Sequence, residues 1–256
     1  MNAYDRPPRE RRSMSDSSKA TYGIDAPLVL VGLSAASIIM LVLSLASFDP
    51  SAVGWGCLLG GTAVWVMSAV SFGYATTRGK FEVWKETLGQ LGLRGDERVL
   101  DLGCGRGAVL IACAQLVPTG QAVGIDLWRT PDQSGNAESV TRANAVAEGV
   151  SSRIELVTGD MQSLPFVDDD FDVIVSSLAI HNIPSEAGRA AAVTEALRVV
   201  RPGGRILIAD FKNSRYYVAV LERAGAADGR IRKLGWRFWF GGPWFGSSMA
   251  EARKRA

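Results

Sequence analysis

The sequence predicts an α/β domain built on a mainly parallel sheet and preceded by two long apolar helices. Three observations carry that prediction. From residue 80 onward, short runs rich in β-branched residues alternate with stretches of helical composition and period, the pattern of repeated strand–helix units. Several of these runs end in glycines or single carboxylates, at the edge where open parallel sheets bind their ligands. Before residue 80, two segments long enough to cross a bilayer carry no charge.

The 256 residues leave room for one catalytic domain and a short appendage, and 47% hydrophobic with 21% charged residues is the balance of an ordered chain. The net charge of +2 is not gathered into a basic face, so nucleic acid is not an expected partner. Cys57, Cys104 and Cys113 lack the paired spacing of a zinc site or a disulfide framework. They read as reduced thiols, and no metal is expected.

The uncharged segments run from Pro27 to Phe48 and from Ser51 to Thr77, with only Asp49 and Pro50 between them. Their length and closeness predict a transmembrane hairpin over residues 27–77 with a very short turn on its far side. Arg6, Arg9, Arg11, Arg12 and Lys19 precede the first span, Arg78, Lys80 and Lys85 follow the second, and the far side has no basic residue. The positive-inside rule then puts both termini and the following domain in the cytoplasm, with the protein integral to the membrane. Gly54, Gly56, Gly60 and Gly61 are expected to let the two helices approach closely. Residues 1–26 read as a disordered basic arm, because their beginning is rich in Arg, Ser and Pro and poor in large apolar side chains.

Within residues 78–256, strands are expected at Arg98 to Leu102, Gln121 to Asp126, Ile154 to Thr158, Phe171 to Ser176 and Arg205 to Asp210. A sixth is expected at Gly229 to Lys233. Helices are expected at Ala108 to Leu116, Glu138 to Glu148 and Gly188 to Val200, and Phe81, Trp84, Leu88 and Leu91 mark one face of a further helix just after the membrane.

The ends of these strands carry the informative residues. Asp101-Leu-Gly103-Cys-Gly105-Arg-Gly107 closes the first strand in a turn whose glycines allow positive φ and a bare backbone against a ligand. Asp126 ends the second with a carboxylate suited to the two hydroxyls of a ribose. Asp160, followed by Met161, supplies an acceptor after the third. The loop Arg129 to Asn136 reads as surface apart from Trp128 at its start, a residue placed to lie against an adenine. The same glycines also fit a dinucleotide fingerprint through Gly103, Gly105 and Ala108. A nicotinamide oxidoreductase is therefore one alternative, although no Tyr-x-x-x-Lys pair is present. A catalytically inactive cofactor-binding membrane scaffold is another.

At Asp101 to Gly107, Asp126, Asp160-Met161 and Arg201-Pro-Gly-Gly204 the chain resembles the class I S-adenosylmethionine-dependent methyltransferases, over about residues 80–254. The resemblance implies a Rossmann-like sheet whose last strand, here Ser247 to Lys254, runs antiparallel. It implies S-adenosyl-L-methionine as cofactor, held by Asp101, Gly103, Gly105, Gly107, Asp126, Leu127, Asp160, Met161 and Ser176. It also implies that His181, after the fourth strand, faces the transferred methyl. His181 is then either a general base or, with Asn182, a group that shapes the loop.

The tail concentrates aromatics in Leu234 to Phe245. Trp236, Trp239 and Trp244, with Asn182, are the expected substrate-binding residues. The alternatives for the tail are docking on lipid headgroups and packing of an edge hairpin. A small lipophilic acceptor arriving from the lipid bilayer is the expected partner: a thiol, a phenol or quinol, or a lipid amine.

Overall fold

The computed structural model describes residues 20–46, 52–129 and 133–256, with backbone only at 52–55 and 57. The expected turn at Asp49 and Pro50, Cys57 as a side chain, and the first nineteen residues of the arm lie outside the described residues.

Seven strands form one sheet: β1 Arg98–Leu102, β2 Gln121–Asp126, β3 Ile154–Thr158, β4 Phe171–Ser177, β5 Val200–Asp210, β6 Ala227–Lys233 and β7 Ser248–Arg253. Their order is β3-β2-β1-β4-β5-β7-β6. The first five are parallel, and β7 runs antiparallel between β5 and β6. The expected antiparallel last strand is thus present, inserted beside β5. Strand order reverses between β1 and β4, which opens a crevice at their carboxyl ends. Arg201-Pro-Gly-Gly204 lies inside β5 as a bulge, since Phe171 pairs with Val200 while Val173 pairs with Arg205. Gly203 takes φ +79° there, which its lack of a side chain permits.

The sheet is buried on both faces, and alternation along each strand divides the core in two. Leu100, Leu102, Ile206 and Ile208 face helices α6, Glu186–Val199, and α7, Ser214–Arg223, through Val193, Ala196, Tyr217 and Leu221. Val99, Leu207 and Ala209 face α4, Ala108–Leu116, through Leu110 and Cys113, and α3, Lys80–Gly89, through Trp84 and Leu88. Helix α5, Glu138–Ala147, packs beside β3.

Two helices precede this domain, α1 Pro27–Ala46 and α2 Ala52–Tyr74, both long and apolar enough to span a membrane. They pack on each other, and Ser44 and Thr62 share a hydrogen bond of 3.0 Å between them. Of the four glycines expected to bring the helices together, Gly61 does so, against Met40, whereas Gly56 and Gly60 face open space. The outer faces are apolar and uncovered: Leu28 is 84% exposed, Leu45 70% and Val70 66%.

Helix α2 continues through a π-type turn, Ala75–Gly79, into α3, so one rod joins the apolar pair to the core. Residues 20–25, expected within a disordered arm, instead pack on the domain. The Thr21 amide donates to Asn144, and Asp25 forms an ion pair of 2.8 Å with the buried Lys80. Thr76 and Gln133 also donate to the Asp25 carboxylate, and Tyr22 packs on Phe81 with ring centroids 5.0 Å apart, so polar and apolar partners together fix the arm's last residues.

The aromatic segment locks onto the same rod. Tyr74 stacks on Trp236 with centroids 5.1 Å apart, and Phe72 meets Phe240 edge-on at 5.5 Å. A β-carbon at Gly79 would overlap the Arg237 carbonyl, so glycine is required there by closeness and not by φ. Gly79→Ala is expected to cost about 1–3 kcal/mol, the range for overpacking. Its melting temperature should fall and its tryptophan emission shift to the red. Gly89→Ala, where nothing lies within 4 Å, should gain about 0.4–1 kcal/mol. Equal melting temperatures for the two variants would refute this account of the junction.

Candidate active site

A cavity of about 790 Å³ opens at the carboxyl ends of β1, β2 and β4. That lies toward the upper end of the roughly 300–1,000 Å³ usual for small-molecule sites. Its polar end is made by the turn after β1. Gly103 and Gly105 take φ +71° and +50°, and at Gly103 a β-carbon would overlap that of Ala179. The Asp126 carboxylate accepts from the Gly105 amide at 2.8 Å, from the Trp128 amide at 2.6 Å and from Asn136 at 3.2 Å. It therefore both faces the cavity and fixes the glycine turn. Asp160 is held by the amide and side chain of Gln162 at 2.9–3.1 Å.

Asp101 is buried, and its Oδ1 has no hydrogen-bond partner among the described residues. Burial, and next the charge of Asp126, push its carboxyl up to about 8. Burial, followed by Asp101 and Asp126, also raises the Cys104 thiol, which stays protonated and is no nucleophile at neutral pH. Cys113 is raised by the same burial. Among the described residues no His, Cys, Asp and Glu cluster fits a metal.

At the opposite wall His181 Nδ1 lies 2.9 Å from Asp210 Oδ1. This is an ion-pair approach whose N–H direction falls short of a hydrogen bond, since Nδ1 has no partner by that stricter geometry. Asp210 ends β5, is fully buried, and accepts from the Phe211 amide at 2.8 Å and from the Tyr217 hydroxyl at 3.0 Å. Burial and the adjacent Asp210 hold the Tyr217 phenol far above its ordinary range, so it remains a donor. The Phe211 ring meets the imidazole at 4.4 Å.

The cavity thus gathers Asp101, Gly103, Gly105, Asp126, Leu127, Asp160, Met161, His181 and Asn182. Other expected residues lie elsewhere. Gly107 starts α4 with φ +84°, packed against Thr141 and Ile111, and does not line the cavity. Ser176 points into the sheet and donates to the Leu102 carbonyl at 2.9 Å. Its neighbour Ser177, which accepts from Trp84, faces the cavity instead. Trp128 turns away at φ +57° and donates to Thr158. Trp236, Trp239 and Trp244 do not line the cavity, and the aromatic segment contributes Phe240 and Phe245 in their place. The tryptophans lost that position because Trp236 is taken up by Tyr74 and the 239–246 turn closes on itself.

The sequence reading missed Asp210, although a carboxylate at the end of a predicted strand was the signal used for Asp126. It also missed Gln133 and Asn136. Their loop is a working wall and not mere surface: Gln133 accepts from the Arg106 amide at 2.9 Å and donates to Asp25 at 2.9 Å. Thr130, Pro131 and Asp132 lie outside the described residues.

The polar end is rich in acceptors, with Asp101, Asp126 and Asp160, while Lys80 is neutralised by Asp25. That donor–acceptor balance fits S-adenosylmethionine, whose sulfonium, ammonium, diol and amine all seek acceptors. The orphaned buried oxygen of Asp101 fits it as well.

Residues 99–204 match the family model described as a methyltransferase domain. Among curated proteins, the ubiquinone/menaquinone biosynthesis C-methyltransferase UbiE of Pseudomonas putida is 35% identical over 135 residues, covering 52% of this chain and 49% of the relative. UbiE of Dinoroseobacter shibae is 34% identical over 134 residues, covering 52% and 50%. The chain spans about half the length of the curated relatives it matches. Among solved structures, the [4+2]-cyclase SpnF superposes with TM-score 0.58 at 18% identity, over 69% of this chain and 82% of that one. A SAM-dependent methyltransferase from Aquifex aeolicus gives 0.52 at 19%, over 68% and 92%. These structures share the fold.

A cationic ligand beside Asp101 favours its carboxylate, so binding at pH 7 should release a proton. The sign follows from the raised value: below pH 8 the free carboxyl is mostly protonated, and a cation beside it is expected to ionise it. Calorimetry of cofactor binding in buffers of different ionisation enthalpy is expected to report release of up to about one proton. Asp101→Asn should abolish it, and proton uptake or no exchange in the native protein would contradict the assignment. Residues 99–204 are thus the part of the chain that matches a methyltransferase domain.

Proposed function

We propose that the chain is a membrane-held S-adenosylmethionine-dependent methyltransferase acting on a lipophilic phenol or quinol, with His181 as general base and Asp210 as its positioning partner. The observation that carries this reading is His181, which lines the same cavity as Asp101, Asp126, Asp160 and the apolar helices and has the buried Asp210 2.9 Å behind its Nδ1. A phenolic hydroxyl, with a reference pKa of about 10, needs a base more than a thiol of about 8.5 does. The names of the quinone-biosynthesis relatives agree with such an acceptor.

S-adenosylmethionine, when bound, supplies an electrophilic sulfonium methyl. The chain's own residues orient and deprotonate. Asp210, 2.9 Å from Nδ1, offsets the charge that the ring gains, and Nε2 takes the hydroxyl proton. Tyr217 and the Phe211 amide hold Asp210 in place. Phe211, stacked edge-on with the ring, restricts its rotation.

The membrane reading rests on helix length and on the bare apolar faces of α1 and α2, which water would penalise. Trp236 and Trp244, 59% and 50% exposed near the end of α2, suit the headgroup level. Of the near-side cations after α2, Lys80 is committed to Asp25, so a cytoplasmic domain rests on Arg78, Lys85 and the basic residues before α1.

His181→Ala is expected to lower turnover of a reduced quinol by about 10²–10⁴-fold while cofactor affinity stays unchanged. Asp210→Asn should lower turnover and distort the pH–rate profile while cofactor affinity stays unchanged. Full turnover of the His181 variant, or methyl transfer confined to thiols and lipid amines across an acceptor panel, would overturn this reading.

A further inference from the structure

We infer that the helix pair is itself part of the acceptor site: α1, α2 and the aromatic segment form an arm of the catalytic cavity that holds the acceptor's apolar chain and opens sideways to the bilayer. The inference rests on the membrane-held methyltransferase reading above and adds the route and the binding element.

One cavity carries two different linings. Asp101, Asp126 and Asp160 mark one end, and Val29, Leu33, Trp65, Phe72, Phe240 and Phe245 mark the other. His181 and Phe211 lie on the wall of the same cavity. The charged pair near the apolar end, Lys80 with Asp25, is mutually neutralised and held by Thr76 and Gln133.

The depth of the lining is the telling feature. Leu33 is six residues into α1, or roughly 9 Å along its axis, and Trp65 is nine residues before the end of α2, or roughly 14 Å. A compact aromatic head reacting at His181 needs no wall so far from the sheet. A long apolar substituent does. Val29 and Trp65 line the cavity and are 47% and 39% exposed, so the helix pair leaves this end of the lining open rather than sealed. A chain entering there never crosses water, and every methylene kept in apolar surroundings avoids the hydrophobic penalty of extraction.

The test uses the full chain in vesicles of phosphatidylcholine and phosphatidylglycerol, with reduced quinols bearing either a propyl or a dodecyl chain. Leu33→Trp fills the arm. It should raise KM for the dodecyl quinol at least about 10-fold, leave the propyl quinol within about 2-fold, and leave cofactor affinity unchanged. Equal effects on both quinols, or none, would overturn the arm. Should that variant fail to fold, a dodecyl quinol with a terminal diazirine, irradiated on the native protein, reads the same point. Labelling within 29–33 or 65–72, or at Phe240 and Phe245, supports the arm, and labelling confined to the rest of 78–256 refutes it. Absence of methyl transfer to either quinol would sink the proposed acceptor, while the photolabel still decides the arm.

Discussion

The ion pair between Lys80 and Asp25 decides where the apolar helices stand over the sheet. Lys80 is the first residue of α3, directly after the π-type turn, and Asp25 lies two residues before α1. Their union fixes both ends of the helix pair that approach the domain. Removing such charges from water costs several kcal/mol, and the cost is offset only when further hydrogen bonds satisfy the carboxylate. Thr76 and Gln133 do that here, one from the turn and one from the loop that braces the glycine turn through the Arg106 amide. Membrane-side geometry and cofactor-side geometry are therefore set by one cluster of polar contacts.

That cluster was invisible in the sequence, because Asp25, Thr76, Lys80 and Gln133 share no period and no motif. Local patterns were legible where local physics decides the outcome. The strands β1 to β3 and helix α4 fall at the expected residues because each is a short apolar-rich run bounded by turn residues, with β1 and β2 buried on both faces of the sheet. The carboxylates at strand ends were legible for the same reason. Ser176 illustrates the limit: a strand's period of two sends it and Ser177 to opposite faces, and only the register shows which one meets the cavity. The tail illustrates another. Composition marked an aromatic wall, yet stacking with Tyr74 and the tight turn at 239–246 reserve the tryptophans for the junction and leave the phenylalanines to the pocket.

The fold alone leaves the chemistry open, as a cyclase and a methyltransferase on the same scaffold demonstrate. What distinguishes this site is the separation of its ionisable groups. Burial and the charge of Asp126 raise Asp101 at one end, Asp210 is fixed in place by an amide and a phenol at the other, and burial holds Cys104 as a thiol. His181 lines the same cavity as Asp101, Asp126 and Asp160, with Nδ1 2.9 Å from Asp210. In the function proposed above, the carboxylate end receives the cation and the histidine end receives the hydroxyl proton.

The apolar end needs a different source of structure, because the carboxyl edge of a sheet offers loops and backbone rather than a deep hydrophobic wall. Here the wall comes from outside the sheet. Phe72 is buried against Phe240, and Phe240 in turn against the buried Phe238 of the domain core, so the helix pair and the catalytic core share one continuous aromatic contact. Cutting the chain before α3 would take away Asp25 as well as Phe72, leaving Lys80 buried without its counter-charge and Phe240 without its cover. Helix pair and cavity are thus not separable modules in this protein: Phe72 and Phe240, which join the helices to the domain, also line the cavity.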